Sequence, residues 1–382
     1  MRIVYLSYPA FADCDFPLVE ALRRAGHQVQ YYLVVTPFHC HSTLVDIERL
    51  DPSYAIFPGS RYAELRKYDS YMDSSSISLV NFGGRSRWRM IQLWMKLYRA
   101  IKAFRPDVIQ MTHFLPPYAY YYYPSFKGKL FMTIHDPVQH AGDELSWAER
   151  LRKAGMKWMS GFFMLSRNEA QTEAFMERYH VPAGKISYAA LAPYETLSSI
   201  QGRGDICPSD FLFIGRITRY KGVDILVEAM EQVLASHPES RLVVAGAGDF
   251  WFDISRYRND RVEIVNRFIG VEELVSRIRN TKYVVCPYRE GTQSGVIMSA
   301  LALATPVIAT RTGNFAEVIK DGENGFMALP SDVKELASAM ERALVPGVYE
   351  RIRHNLLRDD ARRSWDEIAA MYIGAYQQKL DK

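Results

Sequence analysis

Phe211-Leu-Phe-Ile-Gly-Arg-Ile-Thr-Arg-Tyr-Lys-Gly222, followed at once by Val223-Asp-Ile-Leu-Val-Glu-Ala229, carries the first decision about this chain. A short, wholly apolar run ending in glycine reads as a strand buried on both faces. The stretch after Gly222 repeats its apolar residues at helical spacing, so the segment is strand, loop, helix. Two cations, Arg216 and Lys221, flank the loop. Gly215 permits close backbone approach, Arg offers a bidentate fork, and Lys offers a compact point charge. Cations fixed beyond a strand's carboxyl end suit a diphosphate. The competing reading of such a pair is solvated surface charge.

Outward from this unit the same grammar recurs. Strands are expected at Leu242–Ala245, Val262–Val265, Tyr283–Cys286 and Val307–Ala309, with helices at Glu272–Arg279, Val296–Ala304, Asp332–Leu344, Tyr349–Leu357 and Ser364–Gln378. In the first half, strands are expected at Ile3–Leu6, Val29–Val35, Asp107–Met111, Leu130–Ile134 and Gly161–Leu165, separated by helices such as Trp88–Phe104 and Asn168–Tyr179. Strands alternating with helices predict βαβ units and parallel sheets. Between the halves, Ala192–Asp210 holds Pro193, Gly202, Gly204 and Pro208 and has linker chemistry. The expected fold is α/β: two Rossmann-like, doubly wound domains, about 1–195 and 205–360, facing an interdomain cleft. In such sheets ligands sit beyond the carboxyl strand ends.

Composition narrows the function classes. The 382 residues are 48% hydrophobic and 24% charged, which excludes a largely disordered chain. No apolar run reaches the roughly 18 residues a spanning helix needs. MRIVYLSYPA lacks the pattern of a secretory signal. The four cysteines, Cys14, Cys40, Cys207 and Cys286, form no C-x-x-C pair, against a disulfide scaffold or a cysteine zinc site. The net charge of +4 is too small for a nucleic-acid-binding face. It is uneven: residues 1–200 hold 23 Lys/Arg against 18 Asp/Glu, the remainder 24 against 25.

A second loop follows Cys286: Pro-Tyr-Arg-Glu-Gly-Thr-Gln-Ser-Gly295, then an apolar helix, then Thr305-Pro-Val-Ile-Ala309. Thr292, Gln293, Ser294 and Gly295 are expected at that helix's amino end. There unsatisfied N–H groups and the positive dipole end attract an anion. The competing reading is a plain cap by Ser294 or Thr292.

Taken in order, the GR-x4-KG stretch, Val243-Val-Ala-Gly-Ala-Gly-Asp249, the TPVIAT block, Thr312-Gly-Asn-Phe-Ala-Glu-Val-Ile319 and Asp321-Gly-Glu-Asn-Gly-Phe326 resemble glycosyltransferase family 4, a retaining family of GT-B architecture. The likeness is specific over about 205–345. In the first half it rests on Arg105-Pro-Asp-Val-Ile109 and Thr133-Ile-His-Asp136. The resemblance implies a transferase moving a hexose-type sugar from a nucleotide-diphosphate donor to a glycan or lipid-linked saccharide. It implies that Arg216 and Lys221 stabilise the departing diphosphate and that His135 faces the donor sugar. By the same resemblance Gly215, Glu290, Thr292, Gln293, Ser294 and Gly295 contact the donor, Arg267 and Phe268 line its base, and no metal or other cofactor is required. The family's two glutamates fall, in register, on Gly291 and Ser299; Glu290 lies one place away. This TQSG loop resembles a variant branch. Rival functions for the same architecture are a nucleotide-sugar epimerase and a non-catalytic nucleotide-sugar-binding subunit.

Two features of the first half point to a surface. Arg85 to Arg105 holds seven basic residues and no acid, interleaved with Trp88, Trp94, Leu97, Ile101 and other apolar residues, and a tyrosine cluster spans Tyr118 to Tyr123. A basic amphipathic helix suits an anionic membrane. An ordinary sheet-packing helix is the competing reading. The resulting expectation is a cytoplasmic protein, peripheral on the inner face of the membrane. His135, Asp136 and His140 do not read as a metal set, because Pro137 interrupts any helix that would align them.

Overall fold

The computed structural model describes residues 1–37, 41–112, 117–135, 137, 146–203, 206–358 and 363–380. The chain divides into two compact units, Met1–Ala192 together with Arg363–Lys382, and Pro193–Arg362. The first runs β1 (Arg2–Ser7), α1 (Ala12–Arg24), β2 (Gln28–Val35), β3 (Tyr54–Pro58), α2 (Ala63–Arg66), β4 (Ile77–Phe82), α3 (Arg87–Phe104), β5 (Val108–Met111), β6 (Leu130–Ile134), α4 (Ser146–Met156), β7 (Gly161–Met164), α5 (Glu169–Tyr179) and β8 (Ile186–Tyr188). The second runs β9 (Ser209–Ile214), α6 (Val223–Ser236), β10 (Leu242–Ala245), β11 (Val262–Val265), α7 (Val271–Arg279), β12 (Thr281–Cys286), α8 (Gly295–Ala302), β13 (Val307–Thr310), α9 (Phe315–Val318), β14 (Gly325–Ala328), α10 (Val333–Leu344) and α11 (Val348–Leu357). The last helix, α12 (Trp365–Leu380), belongs to the first unit.

The first sheet has eight strands in the order β3-β4-β2-β1-β5-β6-β7-β8, and the second has six in the order β11-β10-β9-β12-β13-β14. Every pairing is parallel except β3 with β4. The periodicity reading has no β3, β4, β8 or β14, and an all-parallel first sheet must be corrected by this antiparallel edge. The reason is local: β3 ends on Pro58, which a sheet tolerates only at an edge or strand end. In β4, buried Asn81 breaks the apolar run, and its Nδ2 donates to the Asp51 and Ser53 carbonyls. The central strands β5, β6, β9, β10, β12 and β13 are mainly apolar and, apart from Asp210 and Lys282 near the starts of β9 and β12, buried, as a sheet covered on both faces requires.

Helix α12 is held to the first unit by aromatic residues one helical turn apart. Tyr372 stacks on Phe163 with centroids 3.9 Å apart, and its hydroxyl lies 2.9 Å from Thr133 Oγ1. Tyr376 donates to Gln110 Oε1 at 2.8 Å. Each such ring buries on the order of 150–250 Å², so these residues anchor the helix more strongly than the exposed Arg24–Asp366 ion pair.

Candidate active site

The strongest constellation lies in the second unit, beyond the carboxyl ends of three adjacent strands, β10, β9 and β12. The β9 loop begins at Gly215, and Lys221 reaches back toward it: a Cβ built on Gly215 would lie 3.3 Å from Lys221 Nζ and 3.6 Å from Val296 on α8. Lys221 Nζ donates to the Tyr288 hydroxyl at 3.0 Å and lies 4.7 Å from that ring's centroid. Ser294 Oγ donates to the same hydroxyl at 3.3 Å. Gly215, Lys221, Tyr288 and the start of α8 therefore form one cluster.

Lys221 has no carboxylate partner among the described residues. Burial, with the neighbouring Arg216 charge adding to it, pushes its ammonium down to about 8; Cys286 opposes this. Burial in turn raises the Cys286 thiol to about 12, which Lys221 partly offsets. That thiol is protonated and inert at neutral pH. Arg216 is exposed and makes no hydrogen bond or ion pair with a described residue. A half-buried ammonium beside the charge of a guanidinium that no described residue pairs, with the amino end of a helix close to the ammonium, is an arrangement that an anion relieves.

Ser294 is the N-cap of α8, accepting from the Ile297 N–H at 3.4 Å. The capping reading thus holds, and it leaves other first-turn N–H groups of the eight-residue helix available. Thr292 is buried, and its carbonyl accepts from the Asn314 N–H at 3.1 Å. Gln293 Oε1 is buried with no partner. Ser299, where the family has a glutamate, turns its hydroxyl back to the Gly295 carbonyl at 2.8 Å. Glu290 is exposed. Arg267 and Phe268 follow β11 and are also exposed, but Arg267 is engaged, forking onto Glu273 at 2.8 and 2.9 Å.

Several contributors escape a reading of the sequence. Tyr288 is the hub to which Lys221 and Ser294 both bond, and an aromatic residue just past a strand end was its only signal. Arg289 grips Asp224 at 2.8 and 2.6 Å. Gly246 is forced: a Cβ there would lie 1.8 Å from the Gly215 carbonyl oxygen, so the chain leaving β10 passes directly against the loop after β9.

His135 belongs to the other unit. It follows β6, its ring lies 4.3 Å from that of Phe11, and it lines a cavity of about 230 Å³ with Thr112, Thr133, Arg152 and Tyr179. Asp136, His140 and Cys40 lie outside the described residues, as do the side chains of Tyr118 and Tyr120. Among the described residues no group of three His, Cys, Asp or Glu side chains is placed to hold a metal ion.

The two parallel-sheet units are those of a GT-B glycosyltransferase fold. Anabaena HepE in complex with UDP and glucose superposes with a TM-score of 0.67 at 15% identity, over 99% of this chain and 100% of that one. Residues 208–345 match the model for "Glycosyl transferases group 1", and residues 17–189 match that for "Glycosyltransferase Family 4". The chain belongs to glycosyltransferase family 4. An uncharacterized glycosyltransferase of Methanocaldococcus jannaschii is 31% identical over 176 residues, 44% of this chain and 45% of the relative. The alpha-D-kanosaminyltransferase of Streptomyces kanamyceticus is 28% identical over 243 residues, 59% and 60% of the two chains. The matched segment thus spans less than two thirds of either curated relative.

Proposed function

We propose that this chain transfers a hexose-type sugar from a nucleoside-diphosphate donor to a glycan or lipid-linked saccharide acceptor, with retention of anomeric configuration. The observation that carries this reading is Lys221, a half-buried ammonium with no described carboxylate partner, bonded to Tyr288 beside the amino end of α8. Breaking the sugar–phosphate bond builds negative charge on the leaving diphosphate. Arg216, Lys221 and the first turn of α8 are groups of the kind that stabilise such charge more in the transition state than in the ground state. The reading assigns neutralisation to them and asks for no metal. HepE, solved with UDP and with UDP-glucose, supports a nucleotide-sugar donor by likeness of fold. Contact with the donor sugar is assigned to His135, supported by its place after β6 in a cavity that it shares with Thr112, Thr133, Arg152 and Tyr179 as well as with apolar side chains. Gln293 Oε1, buried and unpartnered, is assigned to a donor hydroxyl.

Incubation with a panel of nucleotide sugars and no acceptor tests the reading. Slow release of nucleoside diphosphate is the expected result. Epimerised donor shows an isomerase, and tight binding without turnover shows a binding subunit; either overturns it.

The same proposal places the first unit against an anionic bilayer, on the cytoplasmic side. Arg87, Arg89, Lys96, Arg99 and Lys102 of α3 are all exposed, and none forms an ion pair with a described residue. Beside them Trp88 is 75% exposed, and Tyr121, on the short helix packed against α3, is 84% exposed. Leu93, Trp94, Leu97 and Ile101 bury the other face, so the helix is free to present charge and an aromatic ring outward. No described helix is long and apolar enough to cross a membrane. Flotation with phosphatidylglycerol vesicles should exceed that with phosphatidylcholine, and the Lys96→Glu/Arg99→Glu variant should lose the difference. Equal recovery on both lipids removes the membrane role.

A further inference from the structure

Asp224 stands in the first turn of α6 and takes hydrogen bonds from two neighbouring strand-end loops. From the β12 loop, the Arg289 guanidinium forks onto it through two nitrogens, at 2.8 and 2.6 Å. From the loop after β10, the Trp251 indole donates to Asp224 Oδ2 at 3.2 Å. Arg289 also reaches the β9 loop, giving a side-chain hydrogen bond to the Arg219 carbonyl at 2.7 Å. Its backbone N–H donates to the Tyr220 carbonyl, again at 2.7 Å. The closeness is enforced by Gly222, at φ 67°, where a Cβ would lie 2.1 Å from the Pro287 carbonyl oxygen. The residue after this clamp's anchor in one loop is Lys221, and the residue before it in the other is Tyr288, the acceptor of the Lys221 ammonium.

The pair is also electrostatically sound. Burial works to raise the Asp224 carboxyl, and Arg289 outweighs it, so Asp224 sits below its ordinary value and stays ionised at neutral pH. Arg216, Arg219, Lys221 and Arg289 crowd two adjacent loops, and Asp224 is the carboxylate that Arg289 engages there.

We infer that Asp224, Arg289 and Trp251 form a positioning clamp that fixes the β9 and β12 loops against each other and so sets Lys221 and Tyr288 for the donor diphosphate. None of the three touches the reacting atoms; they act through Lys221. The inference rests on the nucleotide-sugar reading above and adds residues to it. Its physical basis is that cationic donors act only where their geometry is fixed in advance, and a misplacement of about 1 Å costs on the order of a hundredfold in rate. A lysine at 289 keeps the charge and loses the fork, so it should not substitute.

The test uses the full chain with Arg289→Lys, Arg289→Ala, Asp224→Asn and Trp251→Phe. Affinity for UDP, ADP and GDP is measured by calorimetry, and kcat and KM for donor hydrolysis are measured well below each variant's Tm. Arg289→Ala and Asp224→Asn should each lower kcat about 10- to 100-fold, with a smaller change in KM. Arg289→Lys should recover little, and the double variant Arg289→Ala/Asp224→Asn should be no worse than the poorer single one. Trp251→Phe deletes one hydrogen bond, keeps the ring, and should lower kcat a few-fold with the fold intact. If the unaltered protein binds no nucleoside diphosphate, the donor reading falls and the clamp with it. If it binds and turns over while folded Arg289→Ala and Trp251→Phe keep kcat within twofold, the clamp alone is refuted.

Discussion

Replacing Lys221 with methionine should make the protein more stable and nearly inactive at once. Lys221 is brought down from its ordinary 10.5 to about 8, chiefly by burial. Keeping it protonated in the fold at pH 7 therefore costs at most about 3 kcal/mol relative to the unfolded chain. A fold-lowered lysine binds fewer protons folded than unfolded between pH 8 and 10.5, so its penalty is complete below pH 8 and fades as pH rises through that window. Methionine keeps the apolar stem and removes the charge. Urea unfolding at pH 7 should show Lys221→Met more stable by about 1–3 kcal/mol, and the difference should shrink by pH 10. Donor turnover should fall on the order of a hundred- to thousandfold, the usual effect of removing one preorganised charge-stabilising donor. In the unaltered protein kcat/KM should decline above about pH 8, as the free ammonium loses its proton. A variant that is less stable at pH 7, or one that keeps full turnover, would refute the reasoning.

Arg216→Ala should also lower kcat/KM on the order of a hundredfold, and calorimetry should find Tm unchanged, because the exposed side chain bonds to no described residue. Gly222→Ala should cost about 2 kcal/mol or more, since a left-handed backbone and a contact at 2.1 Å both oppose a side chain; thermal unfolding measures it. Asp15, wholly buried, takes a hydrogen bond from Tyr5 at 2.7 Å and another from Ser7, and burial raises its carboxyl well above 3.8. Its fold holds a proton that the unfolded chain releases, so this group subtracts stability as pH rises above about 4. Asp15→Asn should therefore flatten the fall in stability between pH 4 and 7 in urea titrations, and an unchanged slope would count against a neutral buried acid.

What was legible in the sequence was local. The run Phe211–Ile214 announced a buried strand, and Gly215, Arg216, Lys221 and Gly222 announced a short cation-bearing loop into a helix, because a strand end and a helix start lie within twelve residues of each other. The strands β3 and β4 were not legible. Pro58 and Asn81 interrupt their pattern, and their pairing is satisfied by neighbours the periodicity does not reveal. Tyr288 and Arg289 stood in plain view without a recognisable role, since their partners Lys221 and Asp224 lie 67 and 65 positions away.

The amino-acid order by itself determined the alternation of strand and helix and the placing of cations at strand ends, since both follow from short-range periodicity and backbone stereochemistry. Tertiary structure alone decided that Lys221 loses its water, that Asp224 ties α6 to two distant loops, and that Tyr376 returns to Gln110 across 266 positions. Desolvation and long-range hydrogen bonding depend on what packs against a group, and no local stretch of sequence contains that neighbour.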